Sequence, residues 1–280
     1  MNLQIEIDNL FSDQKNSWYQ LQNAIKQLDE VKTKQFNWGN EFSVNVQFNP
    51  ARITSTAAKT DAKHLSERPC FLCETNRPAE QKGITFLDKY IILCNPFPIL
   101  KNHLTIPLHS HVPQRIRNKV ADMLTLAQHL SDYVVFYNGP KSGASAPDHF
   151  HLQAGLKQDV LLQGDNELRS CMMISSSNLN EIVELFEEVY QYLRSLQPGE
   201  EEPMLNVVVF VDDNNYNIHI FPRRAHRPIQ YYKEGNNQLM ISPGALDLAG
   251  LMITVREEDF NKISKVDIED IYSQVSLPIM

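Results

Sequence analysis

The residues with the clearest chemical potential are His149-Phe150-His151-Leu152-Gln153. On a strand, side chains two apart share a face. His149, His151 and Gln153 are therefore expected to project together while Phe150 and Leu152 turn to a core. Two imidazoles and an amide in register are a poor packing choice unless their face lines a site. A neutral imidazole is a good nucleophile near neutral pH, and a Gln amide donates hydrogen bonds without taking or giving a proton. The preceding loop runs Asn138-Gly139-Pro140-Lys141-Ser142-Gly143-Ala144-Ser145-Ala146-Pro147-Asp148. Lys141, Ser142 and Ser145 can donate from side chains, and Gly139 and Gly143 allow a backbone path that aims N–H groups at an anion. A phosphate cradle directly before strand histidines points to chemistry at phosphorus.

Cys70-Phe71-Leu72-Cys73 is half of a tetrahedral zinc site, with two ligands still to come from elsewhere. Two reduced core cysteines or a redox pair are the competing readings. Cys94 and Cys171 read as buried small apolar residues. The densest basic cluster is Phe221-Pro222-Arg223-Arg224-Ala225-His226-Arg227. It suits either phosphate binding by Arg223 and Arg224 or a solvated charge run.

Three strings then carry a resemblance: Asn95-x-x-Pro98; His103-Leu104-Thr105-Ile106-Pro107-Leu108-His109; and His149-x-His151-x-Gln153. Together they resemble the histidine-triad superfamily. Gln153 in the third place is similar to the transferase and phosphorylase branch, where hydrolases carry a third His. That branch includes galactose-1-phosphate uridylyltransferases, dinucleoside polyphosphate phosphorylases and GDP-hexose phosphorylases. Pro243 to Gly250 is similar to a C-terminal segment of the last group, and the likeness covers about residues 48–250. It implies that His151 attacks an α-phosphorus and becomes nucleotidylated, with Gln153 holding the intermediate. It also implies a ribose or phosphate contact at Asn95, and phosphate-binding groups where Arg223 and Arg224 stand. For the metal, it implies one structural zinc per chain on Cys70, Cys73, His109 and His149, with His111 and His103 as rival ligands. Two features depart from the pattern. Asp148 stands where uridylyltransferases have Pro, and the second half lacks the paired histidines for a second metal.

These residues must be positioned by a chain of 280 residues, 42% hydrophobic and 21% charged, which is long enough for a large core. The net charge of −8 excludes a protein that lives on a nucleic-acid backbone. No apolar run approaches the ~18 residues of a membrane span. The acidic N-terminus does not read as a signal peptide, so the expectation is a cytoplasmic protein with no membrane partner. Neither common glycine-rich nucleotide loop occurs.

Periodicity predicts helices over 13–35, from Pro113 through Leu130, from Asn180 through Leu196 and near 257–274. It predicts strands over 42–48, 84–86, 90–94, 104–108, 133–137, 149–154, 205–211 and 216–221, with a loop over 49–66. Val134-Val135-Phe136 before His149-Phe150-His151-Leu152 is echoed by Val208-Val209-Phe210 before Asn217-Ile218-His219-Ile220. The expected fold is α+β, with two histidine-triad-like halves, each an antiparallel sheet with helices, the second degenerate. The expected units are 1–47, 48–165 and 166–280. The resemblance implies a nucleotidyltransferase or phosphorylase. Its partners would be a nucleotide or nucleotide-sugar substrate and a phosphate or sugar phosphate acceptor, and a homodimer is compatible with it. A nucleotide hydrolase and a non-catalytic, zinc-stabilised nucleotide-binding protein are the alternatives.

Overall fold

The computed structural model describes residues 2–39, 42–58 and 60–279. Helices α1 (Leu3–Ser17) and α2 (Tyr19–Asp29) open the chain where periodicity predicts one helix over 13–35. Asn2 caps α1 by accepting from the Gln4 N–H. Buried Trp18 is extended between the two helices, so the chain breaks there to bury its indole. The residues after α2 form a strand, β1 (Lys32–Trp38), antiparallel to β2 (Phe42–Phe48). Segment 49–66 is more than loop: a tight turn at Pro50–Arg52 leads into α3 (Ile53–Thr56) and α4 (Ala62–Glu67).

Strands β3 (Gly83–Phe86) and β4 (Tyr90–Cys94) make the expected hairpin, and β5 (Leu104–Pro107) follows. Helix α5 (Val120–His129) starts later than Pro113 suggests. Asn118 sits at φ 65, a left-handed conformation that interrupts a helix. Then come β6 (Tyr133–Asn138), β7 (His151–Leu156), β8 (Met172–Ser176) and α6 (Leu179–Leu196), the last capped by Asn178. The hairpin of β9 (Leu205–Asp212) and β10 (Asn215–Pro222) precedes α7 (Ala245–Leu248) and β11 (Leu251–Thr254). The expected last helix is two, α8 (Glu257–Lys262) and α9 (Lys265–Val275), the second begun by a Ser264–Asp267 capping box.

The fold is α+β with two sheet-and-helix halves. Their strands join in one eight-stranded antiparallel sheet of order β3-β4-β5-β7-β6-β9-β10-β8. The echoed segments meet at its middle, where Val135 pairs with Val209 and Phe136 with Val208. All six residues of β6 are buried because both sheet faces are covered. Tyr133, Val135 and Tyr137 pack in a core with Met123, Leu124, Ile182 and Phe186 of α5 and α6. Val134 and Phe136 pack with Val44, Val46, Leu246 and Met252 on the other face. There a small sheet, β1-β2-β11, brings β11 parallel to β2, so N-terminal and C-terminal segments share one core. No described helix is long and apolar enough to cross a membrane.

Arg223 corrects a sequence expectation: it is fully buried and is not available to a phosphate. Its Nε donates to the Val275 carbonyl, Nη1 to Asn206 Oδ1 and the Pro243 carbonyl, and Nη2 to the carbonyls of Ala225 and His226. Arg224 also faces elsewhere, donating to the carbonyls of Gln274 and Ser273 at the end of α9. Asn206 in turn donates to Asn138 Oδ1 (2.9 Å) and the Ser142 carbonyl (2.7 Å). The network joins the β9–β10 hairpin, the 243–247 segment and the loop after β6. Arg223→Met would leave buried acceptors unpaired, so it should lower unfolding stability by about 3–5 kcal/mol in urea denaturation. Arg223→Lys, with one terminal nitrogen for five bonds, should recover less than half. An unchanged midpoint would exclude this bracing role.

Candidate active site

The β6–β7 ladder ends at the pair Phe136 and Gln153, and beyond it the two strands diverge. The fully buried amide of Gln114 fills the gap. Its Nε2 donates to the carbonyls of Asn138 (2.9 Å) and His151 (3.0 Å), and its Oε1 accepts from the His151 N–H (2.8 Å). The backbone of His151 is therefore held from both sides.

The His151 ring is 4% exposed and lines a cavity of about 690 Å³. Its Nδ1 lies 2.9 Å from the His149 carbonyl. A carbonyl only accepts, so Nδ1 carries the proton and Nε2 keeps its lone pair. Burial pushes the ring's pKa down to about 4, which leaves it neutral at ordinary pH.

Gln153 lines the same cavity, and a relay fixes its orientation. The Ile99 N–H donates to His103 Nδ1 at 3.1 Å, so the His103 proton sits on Nε2, which donates to Gln153 Oε1 at 3.1 Å. The Gln153 NH2 is thereby the end left for a ligand. Burial, with the nearby Arg52 charge, pushes the His103 pKa down to about 3. Neither partner of this relay exchanges a proton at neutral pH.

His149 does not share a face with His151. It precedes the first residue of β7, and its ring turns toward the cysteines. Its Nδ1 lies 3.3 Å from Cys70 Sγ and 3.6 Å from Cys73 Sγ, while Nε2 donates to the Leu108 carbonyl at 2.8 Å. The fourth member of this cluster is His111, in place of His109. His111 Nδ1 lies 3.2 Å from Cys73 Sγ, and the ligand-type atoms of Cys70, Cys73, His111 and His149 all fall within 4.8 Å of one another. The substitution has a backbone cause. Leu108 N–H bonds the Phe150 carbonyl and Phe150 N–H bonds that of Val112. The chain thus curls around Phe150 and sets the His111 ring edge-on to His149, with centroids 4.9 Å apart. His109 is left exposed, its N–H bonded to the Lys89 carbonyl. This Cys2His2 cluster can coordinate a metal. Burial resists ionisation of Cys70, but its contacts with His149 and with the backbone at Leu72 and Cys73 outweigh it and hold the thiol below its ordinary range. Cys94 and Cys171 are buried, as expected.

The remaining candidates divide. Asn95, Asn138, Gly143 and Ser145 line the cavity with His151 and Gln153. Asn95 is spent on its own turn, donating to Thr105 Oγ1 and accepting from the Phe97 N–H, both at 2.8 Å. Asn138 Oδ1 accepts from Asn206 and from the Ala245 N–H. Gly143 adopts φ +101, and a Cβ there would meet Gly244 Cα at 3.0 Å, so only glycine lets the two loops touch. Lys141 and Ser142 do not reach the cavity. Lys141 pairs with Glu200 at 2.7 Å, and the Ser142 hydroxyl is buried without a partner among the described residues.

Three contributors were not foreseen: Gln114, Asn206 and Asp247. Asp247 lines the cavity from the second half and accepts from the N–H groups of Gly244 (2.8 Å) and Ile253 (3.0 Å). Burial pushes its carboxyl up to about 6 against those bonds and the Arg223 charge. No local signal marks Gln114 or Asn206, because each acts across the fold; Asp247 lies within the Pro243–Gly250 segment that carries the resemblance but has no role assigned by it.

The family profile described as "Domain of unknown function (DUF4922)" matches residues 10–156, and the profile "GDPGP1-like, C-terminal domain" matches 167–279. No curated protein matches significantly. Among solved structures, yeast Ap4A phosphorylase Apa2 in complex with Ap4A aligns with a TM-score of 0.68 and 18% identity, over 99% of this chain and 98% of that one. The same yeast protein in complex with AMP aligns with a TM-score of 0.67 and 17% identity, over 99% and 97%. The two halves thus adopt the histidine-triad-like architecture of that phosphorylase.

The relay depends on a neutral His103, which has a measurable consequence. Its pKa is about 3 when folded, against an unfolded value of ~6.5. Between those values the unfolded chain binds the extra proton. His103 therefore contributes nothing against folding above about pH 6.5 and progressively destabilises the protein as pH falls toward 3. His103→Gln should lose less stability than the wild type between pH 7 and pH 4.5 in urea denaturation. Equal losses in both proteins would mean that His103 is not held neutral by the fold.

Proposed function

The chain belongs to the DUF4922 family, and on the chemistry of its cavity we propose that it transfers a nucleoside monophosphate through a covalent nucleotidyl-histidine. The donor is a nucleotide sugar or dinucleoside polyphosphate, and the acceptor is phosphate or a sugar phosphate. One observation carries this reading. His151 has its Nδ1 proton tied to the His149 carbonyl, and its ring lines a cavity beside a Gln153 whose donor end is left for a ligand. A neutral nucleophile with a fixed tautomer can attack phosphorus without a base, and a covalent intermediate divides one hard step into two. The Gln153 amide is placed to donate to a phosphoryl oxygen as charge builds there. The fold it shares with the yeast phosphorylase is consistent with this chemistry. The His103–Gln153 pair has no proton to exchange at neutral pH. That favours an acceptor that arrives already ionised over the activation of water.

Cys70, Cys73, His111 and His149 would hold one zinc ion. The sulfur–nitrogen separations of 3.2–3.6 Å match the edge of a tetrahedron with bonds of ~2.0–2.3 Å. His149 offers the lone pair of Nδ1 because its Nε2 proton is committed to the Leu108 carbonyl, a hydrogen bond that fixes the tautomer and ring orientation a ligating imidazole needs. Bound there, the ion supplies structural cohesion and no open position for water. Its benefit to the reaction is indirect: a fixed His149 fixes the carbonyl that orients His151.

Incubation with donors labelled at the α-phosphate, without acceptor, should leave an acid-labile, base-stable adduct on His151. His151→Ala should abolish it and cut turnover by more than about 10³-fold while leaving the melting curve intact. An adduct that survives in His151→Ala would falsify the assignment. The purified protein should carry one zinc per chain, lost in His111→Ala and kept in His109→Ala; the opposite pattern would restore His109 as the ligand.

A further inference from the structure

Arg52 stands apart from every other cation at the cavity. Arg68 lines it with its charge paired to Asp148 through Nη2 at 2.6 Å, while its buried Nη1 has no partner among the described residues. Arg227 lines it but gives Nε to Ser242 and Nη2 to the carbonyls of Thr56 and Ala58. Arg52 gives one nitrogen to the Phe97 carbonyl at 2.8 Å and has no other side-chain hydrogen bond or ion pair among the described residues. A guanidinium has five N–H donors, so most of this fork is unclaimed. The acid nearest in charge interaction is Asp247, whose oxygens already accept from two backbone N–H groups.

The Arg52 side chain is half-buried, its surroundings partly desolvate it, and the lowered pKa of about 10 still leaves it charged. An anionic ligand would satisfy the donors it leaves free. The backbone beneath it is rigid. Asn49 is buried and ties the turn to the end of β2 and to two other segments, through its N–H to the Thr254 carbonyl (2.8 Å) and its Nδ2 to Gln47 Oε1 (3.2 Å) and the Pro98 carbonyl (3.0 Å). The hydrogen bond of Arg52 to the Phe97 carbonyl ties the guanidinium to the turn whose Ile99 N–H bonds His103, the partner of Gln153.

We infer that Arg52 grips the phosphoryl group that leaves in the first half-reaction and enters in the second. The inference rests on the covalent-transfer reading. In the first step, the His151 Nε2 lone pair forms a nitrogen–phosphorus bond, and the bond from the α-phosphorus to the bridging oxygen breaks. The leaving phosphoryl group takes that electron pair and gains one negative charge. In the second step, an oxygen of the acceptor phosphate attacks the α-phosphorus and the pair in the nitrogen–phosphorus bond returns to Nε2. The Nδ1 proton stays on the ring throughout. In-line displacement puts nucleophile and leaving group on opposite sides of phosphorus. His151 occupies one side, and Arg52, which alone of the three cavity arginines has neither an ion pair nor more than one side-chain hydrogen bond among the described residues, is assigned to the charge that grows on the other.

The test compares wild type, Arg52→Met and Arg52→Lys. Arg52→Met should slow single-turnover adduct formation by about 10²–10³-fold. It should also raise KM for inorganic phosphate at least tenfold, leaving the Kd of the nucleoside monophosphate product and the melting temperature nearly unchanged. Arg52→Lys should recover part of the rate, and added guanidinium ion at a non-denaturing concentration should rescue Arg52→Met. Wild-type rates in Arg52→Met, or an equal loss of nucleoside monophosphate affinity, would overturn the assignment. If the wild type forms no adduct with any donor, the transfer reading itself fails. Calorimetric binding of inorganic phosphate then tests Arg52 alone: binding lost in Arg52→Met keeps the anion site, and equal binding in both proteins removes it.

Discussion

The site depends on one residue serving two neighbours. His149 points its ring at Cys70 and Cys73 and its carbonyl at His151 Nδ1, 2.9 Å away. Its other ring nitrogen is held by the Leu108 carbonyl, and the next residue, Phe150, is locked by backbone bonds to Leu108 and Val112. The Nε2 lone pair of His151 is thus oriented by main-chain groups, which are more rigid than any side-chain partner.

A second constraint concerns the halves. The second half repeats the strand pair of the first but does not repeat its chemistry. His219, in the position echoing His151, is buried edge-on to Phe210 with an unpartnered Nδ1. What the second half contributes is bracing: Arg223 and Asn206 lock Asn138, and Pro243 to Asp247 forms the far wall of the cavity. The loop after β6 is braced from both halves: Gln114 holds the Asn138 carbonyl, and the Asn138 carboxamide oxygen is held by Asn206 and Ala245 of the second half.

Much of this was legible in the sequence because it is local. The alternation of His151 to Gln153, the hairpins and the Cys70–Cys73 pair all follow from spacing within a few residues. The failures share a cause. His111 displaces His109 because a turn around Phe150, 39 residues downstream, decides which imidazole reaches the cysteines. Arg223 reads as a surface cation in a basic run, yet five acceptors from four segments bury it. The strands β1, β8 and β11 escape pattern reading for tertiary reasons too. β1 and β8 are half-exposed edge strands, and β11 is a four-residue apolar run that is a strand only because β2 lies beside it.

The charge distribution gives an acidic protein a cationic cavity. The net charge of −8 repels phosphates at long range, but at about 0.15 M salt that field decays over ~8 Å. Inside the cavity the balance reverses. Arg52, Arg68 and Arg227 line it against one carboxylate, Asp247, and two of the three guanidiniums are already committed. His103 and His151 stay neutral and add no charge. Attraction is therefore concentrated at Arg52, within a low-dielectric wall where one cation counts for much more than it does in water. On the transfer reading proposed above, a single fixed charge beside a neutral imidazole suits the reaction better than a broad basic field, because it would stabilise the charge that moves and leave the product free to depart.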